Sequence, residues 1–152
     1  MPSPEVKLPK QWTLLLVDDD AAVRQSLFSA LLNFDFTIIQ AAGPEEALIQ
    51  CTHHDGPIDL ALIDMSMPRM WGDELAKLVA RIRPEMRIVF ISGYSTDYLF
   101  HRGVLRPDDL FIQKPCKPVV MVKTLIDMLD PQPATVVPSA DDSAGEALPP
   151  ES

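Results

Sequence analysis

The stretch Asp59-Leu60-Ala61-Leu62-Ile63-Asp64-Met65-Ser66-Met67-Pro68 decides how this chain folds. Its apolar run, Ile58 to Ile63 with Asp59 as the one interruption, has the length of a strand, and the residues from Leu60 to Ile63 are apolar without alternation. A strand with no polar side meets water on neither face, which is the situation inside a parallel sheet covered by helices on both sides. Three more runs share this character, Leu14 to Val17, Phe36 to Ile39 and Arg87 to Ile91, and a shorter fifth spans Leu110 to Ile112. Between them lie segments of helical period: Val23, Leu27, Ala30 and Leu31; Leu75, Leu78, Val79 and Ile82; Val122, Leu125, Ile126 and Leu129. Pro44 followed by Glu45 and Glu46 marks another helix start, with its acids favoured by the helix dipole. Strands alternating with helices predict parallel pairing through right-handed crossovers. The fold class is therefore α/β, a doubly wound (βα)5 domain.

The ends of the sequence differ in kind. Residues 1–11 mix Pro, Lys and Glu without periodicity, and residues 131–152 carry five prolines and four acids with no base. Both are expected to be disordered, leaving residues 12–130 as one domain. A chain of 152 residues, 47% of them hydrophobic, suffices for one core and is short for two.

The formal charge of -9 disfavours direct binding to nucleic acid or to a membrane surface, both polyanionic. Two cysteines, Cys51 and Cys116, are too few for a disulfide scaffold and lack the spacing of a zinc site. Neither a signal-like apolar segment nor a run of membrane-spanning length occurs, so the expected location is cytoplasmic.

In an open parallel sheet, functional groups collect beyond the carboxyl ends of the strands. Four of the five ends carry chemistry. Asp18, Asp19 and Asp20 follow the first strand, Asp64 the third, Ser92-Gly93 the fourth, and Lys114-Pro115 comes just after the fifth. Converging carboxylates repel unless a cation neutralises them, and an all-oxygen cluster suits a hard ion such as Mg²⁺. A carboxylate in that setting can act as a nucleophile that forms an acyl phosphate. Lys114 supplies fixed positive charge, Ser92 a hydroxyl, and Gly93 a loop without a side chain. Each signal has a plainer explanation taken singly: the triplet as a helix cap, Asp64 and Ser92-Gly93 as turn residues, Lys114-Pro115 as a strand end. Their order on four ends of one sheet argues for a site.

Leu14-Leu15-Leu16-Val17-Asp18-Asp19-Asp20, the stretch from Asp59 to Pro68 with Gly72, Ile91-Ser92-Gly93 and Lys114-Pro115 together resemble the receiver domains of two-component response regulators over about residues 12 to 130. The resemblance implies a flavodoxin-like sheet of order 2-1-3-4-5. It assigns Asp18 and Asp19 to the metal-binding acidic pair, Asp64 to the phosphoacceptor, the Ser66 backbone carbonyl to the Mg²⁺ shell, Ser92 to the switch hydroxyl, Phe111 to the aromatic switch position and Lys114 to the phosphate-contacting lysine. It implies a cis Lys114-Pro115 peptide and, as partners, a histidine kinase or histidine phosphotransfer protein upstream and an unknown protein downstream. A monomer or weak dimer is expected. No second domain follows Asp130 in this sequence, so a stand-alone receiver is the expectation.

Departures from the family pattern are informative. Cys116 stands where the family has Phe and is expected to be a small core residue. Ser-Gly-Tyr at residues 92–94, with little helical period from Asp97 to Asp109, is similar to receivers of hybrid sensor kinases and predicts a short or irregular fourth helix, which puts the usual dimer interface there in doubt. His53 and His54 are read as exposed residues at a helix end, and Met65, Met67, Met70 and Trp71 as packing around the Asp64 loop. Two other functions compete. One is a haloacid-dehalogenase-like phosphatase using Asp18, Asp20, Ser92 and Lys114; it leaves Asp64 without a role. The other is a receiver-like binding module that works without phosphorylation, although all the matched polar positions are present.

Overall fold

A computed structural model describes residues 11–34 and 36–130. The expected disorder of residues 131–152 and of residues 1–10 therefore lies outside the described residues. Five parallel strands form one sheet: β1 (Trp12–Val17), β2 (Phe36–Ala41), β3 (Leu60–Asp64), β4 (Arg87–Ser92) and β5 (Leu110–Gln113). They pair in the order β2-β1-β3-β4-β5. Helices α1 (Ala21–Leu32), α2 (Pro44–His53), α3 (Gly72–Ile82), α4 (Thr96–Arg102) and α5 (Pro118–Leu129) follow the strands in turn. This is the doubly wound, flavodoxin-like arrangement expected, with helices on both faces. The chain divides into two compact units, residues 1–122 and 123–152. The first holds the whole sheet and α1 to α4; the described part of the second is the remainder of α5.

Burial explains why the strands read as they do. Leu14 to Val17 and all of β3 are buried. Leu15, Val17, Ala61 and Ile63 point to the face covered by α2 and α3, where Ala47, Cys51, Leu75 and Val79 complete the core. Their sequence neighbours Leu14, Leu16, Leu60 and Leu62 point to the opposite face and are buried as well. The β3 strand begins two residues later than the apolar run suggests. Asp59 is the reason: its carboxylate accepts from Thr13 N at 2.8 Å, and its N–H donates to the Thr13 carbonyl at 2.8 Å. The side chain thus takes up a backbone donor at the start of the ladder.

Helix ends follow local chemistry. Asp20 caps α1 by accepting from Ala22 N and Val23 N. Glu46 in the first turn of α2 accepts from Ala42 N at 2.7 Å. α4 is short, as expected: Ser95 caps its start by accepting from Tyr98 N, and Gly103, in the left-handed region at φ 76°, ends it after seven residues. His53 and His54 lie in the last turn and C-cap of α2. Among the described residues no helix is long and apolar enough to cross a membrane.

Candidate phosphoryl and metal site

Strand register brings the chemistry together. Val17 pairs with Ile63, Asp64 with Ile91, and Ser92 with Gln113, so the carboxyl ends of β1, β3, β4 and β5 stand side by side. Asp18, Asp19 and Asp64 each offer an oxygen, and these oxygens lie within 4.8 Å of one another. Asp18 is fully buried, Asp64 is 5% exposed, and Asp19 is exposed. The acidic triplet is thereby divided: Asp18 and Asp19 join the cluster, while Asp20 turns away to cap α1.

Asp18 is the best-held member. Its Oδ1 accepts from Asp20 N at 2.9 Å, its Oδ2 lies 3.2 Å from the Lys114 ammonium, and the Arg24 guanidinium donates to its carbonyl at 2.6 Å. Asp64 is less well compensated. Its Oδ1 accepts from Ser66 N at 3.2 Å, and Lys114 Nζ stands 3.9 Å from its Oδ2. Burial, followed by the charge of Asp18, pushes its carboxyl up to about 7; Lys114 and the Ser66 N–H pull the other way without prevailing. An acidic pocket this short of positive charge is a fitting host for a divalent cation with oxygen ligands. Asp18, Asp19 and Asp64 are the residues that would hold it.

Of the remaining expected residues, Lys114 reaches the cluster, Ser92 ends the strand next to Asp64, and Phe111 lies within β5, two residues before its end. Ser92 is fully buried, and its Oγ accepts from Tyr94 N at 3.0 Å, which leaves the hydroxyl hydrogen free to donate. Lys114 N donates to the Ser92 carbonyl at 2.8 Å, tying the β5 end to the β4 end, and the Lys114-Pro115 peptide is cis. Phe111 is half-buried against the core beside its register partner Phe90. A Cβ built at Gly93 meets nothing within 4 Å, so the protein itself does not require glycine there.

One expectation needs correction, and the packing expected around the Asp64 loop is observed. Cys116 is not a core residue: it is half-exposed and lines a cavity of about 600 Å³ with Val23, Leu27, Lys114 and Met121. It follows the strand by three residues, past the cis proline, where the chain has already left the sheet. Met65 and Met67 are packed in the core, and Met70 and Trp71 pack half-buried against it. They form a short antiparallel ribbon, Ser66–Met67 against Met70–Trp71, that folds the Asp64 loop back on itself.

Sequence reasoning missed several contributors. Gly72 sits so close to the loop that an added Cβ would lie 2.8 Å from the Asp64 carbonyl oxygen and 2.9 Å from Met65 Cα. Its N–H donates to the Met65 carbonyl at 2.7 Å. Gly72 belonged to the quoted pattern, but nothing in the sequence marks it as a close approach. Arg24 gave no signal, because a charged residue one turn into an exposed helix reads as solvated surface.

The sequence matches the response regulator receiver domain family over residues 14–126. It is 33% identical over 123 residues to the sensor kinase CckA of Brucella abortus, an alignment covering 79% of this chain and 13% of that protein. The chain thus spans a small part of that relative. Among solved structures, a CheY-like receiver from Methanospirillum hungatei aligns with a TM-score of 0.68 at 28% identity, covering 81% of this chain and 97% of that one. The receiver domain of the hybrid histidine kinase CckA aligns at 0.66 and 29%, covering 78% and 99%. Receiver domains of this kind are signalling phosphoacceptors that bind Mg²⁺ at an acidic pocket and receive phosphate from histidine kinases or phosphotransfer proteins. The sequence, the sheet order and the acidic pocket agree, and the chain belongs to the response regulator receiver domain family.

Proposed function

We propose that this chain is the phosphoacceptor of a cytoplasmic two-component phosphorelay, taking a phosphoryl group onto Asp64 from a histidine kinase or histidine phosphotransfer protein and presenting the changed surface to a downstream protein. The observation that carries this reading is the placing of Asp64 within 4.8 Å of Asp18 and Asp19, with one lysine, Lys114, reaching both Asp18 and Asp64.

In this reading an Asp64 carboxylate oxygen attacks the phosphorus of phosphohistidine. A P–O bond forms as the P–N bond breaks, and the electron pair returns to the imidazole. Asp18, Asp19, Asp64 and the Ser66 carbonyl are the groups that would hold Mg²⁺, which when bound would supply charge neutralisation for the incoming group. Asp64 must be ionised to attack, and its tendency to hold a proton falls when positive charge enters the pocket. Lys114 is already placed to meet a phosphoryl oxygen, and Ser92 has a free O–H to donate to another. Drawing Ser92 inward vacates space beside β4, which the Phe111 ring on the adjacent strand fills. The weak inherent preference of Phe for either position makes this a low-energy switch. A monomer or weak dimer suffices for such a device.

Nothing favours the phosphatase reading. Asp18, the nucleophile it requires, is fully buried with both oxygens engaged. Mg²⁺ titration by calorimetry tests the proposal: one site in the wild type, at least tenfold weaker in Asp19→Asn, with beryllofluoride binding only when Mg²⁺ is present. Equal Mg²⁺ binding by both proteins would refute the assignment of the acidic pair.

A further inference from the structure

Arg102, in the last turn of α4, lies outside every role assigned above. Its guanidinium carbon stands 4.8 Å from the centre of the Trp71 ring and 6.0 Å from that of Tyr98. Trp71 belongs to the loop after Asp64, and Tyr98 to the helix after Ser92. The Tyr98 ring in turn stacks on Tyr94 at 4.7 Å. Tyr94 is the residue whose N–H occupies the Ser92 hydroxyl. On the other side, Trp71 pairs across the short ribbon with Ser66, whose N–H binds Asp64.

These contacts close a circuit. It runs from Asp64 through Ser66 and Trp71 to Arg102, then through Tyr98 and Tyr94 to Ser92, which stands on the strand beside Asp64. We infer that Arg102 is a positioning residue that clamps the Asp64 loop to α4 through the Trp71 ring, and so holds the Ser66 end of the loop and the Ser92 end of α4 in one register. Guanidinium suits the task because it is planar, always charged, and attracted to the faces of two rings at once. A movement of Ser92 toward a phosphoryl group pulls on Tyr94 and Tyr98 and disturbs the Trp71 contact. A ligand at Asp64 disturbs the same contact from the Ser66 side. The clamp is thus a route between the pocket and α4 besides that through Phe111.

The inference rests on the proposed function for its ligand-linked half, while the clamp itself is testable without any ligand. Trp71 fluorescence reports it in a Trp12→Phe background. Without ligand, Arg102→Ala should shift Trp71 emission and raise its quenching by acrylamide at least twofold, and Arg102→Lys, which keeps the charge but not the planar fork, should restore less than half of the difference. Unchanged emission and quenching in Arg102→Ala would overturn the clamp whatever the protein's function. With Mg²⁺ and beryllofluoride, the background protein should show an emission change that Arg102→Ala reduces by half or more, with a two- to fivefold weaker Mg²⁺ affinity. The same amplitude and affinity in Arg102→Ala would overturn the coupling and leave the phosphoacceptor assignment intact. Absence of any Mg²⁺ response in the background protein would overturn that assignment and the coupling with it. Arg102 is exposed, so both variants should fold, which amide dispersion by NMR would verify.

Discussion

The Lys114 ammonium stands closer to Asp18 than to Asp64, at 3.2 Å against 3.9 Å. Asp18 is fully buried, so this lysine holds down the most deeply placed negative charge of the pocket before any phosphate arrives. Lys114→Met should therefore destabilise the metal-free protein at neutral pH. Removing one partner of a fully buried pair costs about 3–5 kcal/mol. Because the Lys114 side chain is 26% exposed, a loss of roughly 2–3 kcal/mol is expected. Urea unfolding with EDTA and with Mg²⁺ checks it, and Mg²⁺ should recover most of the loss.

Asp64 gives the metal-free protein a pH dependence of defined sign. Its carboxyl is raised to about 7 in the folded state from an ordinary value of 3.8. The native state then binds the proton more tightly than the unfolded chain, so its contribution is fully present below about pH 4 and is lost as pH rises to about 7. Asp64→Asn removes this dependence. In EDTA the variant should match the wild type near pH 4 and exceed it above pH 7 by on the order of 1–3 kcal/mol. Parallel stability profiles would contradict the charge strain read from the pocket.

Gly72 is fixed by space rather than by backbone freedom. The atoms an added Cβ would meet at 2.8 and 2.9 Å are backbone, which cannot swing aside. Gly72→Ala should cost about 2–4 kcal/mol, at the upper end of overpacking effects, and should weaken Mg²⁺ binding by displacing the Asp64 loop. Gly93→Ala, with open space around its Cβ, should fold with wild-type stability. Thermal unfolding of the two variants separates these cases.

Arg69 holds a left-handed conformation, φ 72°, in the turn that closes the ribbon after Pro68. Its bidentate pair with Glu45 is exposed on both sides, 71% and 66%. An exposed pair is worth about 0–1 kcal/mol, and left-handed strain in a non-glycine residue about 1–2 kcal/mol. Strain outweighs the pair, so Arg69→Gly should leave stability unchanged or raise it by up to about 1 kcal/mol. Clear destabilisation would show that the pair to α2 matters more than the turn.

Much of this architecture is visible in the sequence because the sheet is buried on both faces. Runs such as Leu14 to Val17 have no solvent side to confuse the period, and the residues after each run are at the site by topology alone. The division of labour within Asp18-Asp19-Asp20 is not readable in that way, since which carboxylate caps α1 is decided by backbone geometry at one residue. The place of Cys116 was misjudged for a related reason: the sequence shows a small residue in a familiar position, while the chain there has already left the sheet. The Trp71 to Arg102 contact joins residues 31 positions apart, on two elements brought together by the fold. No local pattern encodes it.

The most direct test of the central claim is phosphorylation of the purified protein with a small phosphodonor such as acetyl phosphate. Intact mass and peptide mapping of wild type and Asp64→Asn would be compared with and without Mg²⁺. The proposed function predicts one phosphoryl group, formed only with Mg²⁺, cleaved by hydroxylamine and located on Asp64, with none on Asp64→Asn. Phosphate incorporated equally by Asp64→Asn, or steady turnover of a generic phosphate ester without an Asp64-linked intermediate, would contradict it.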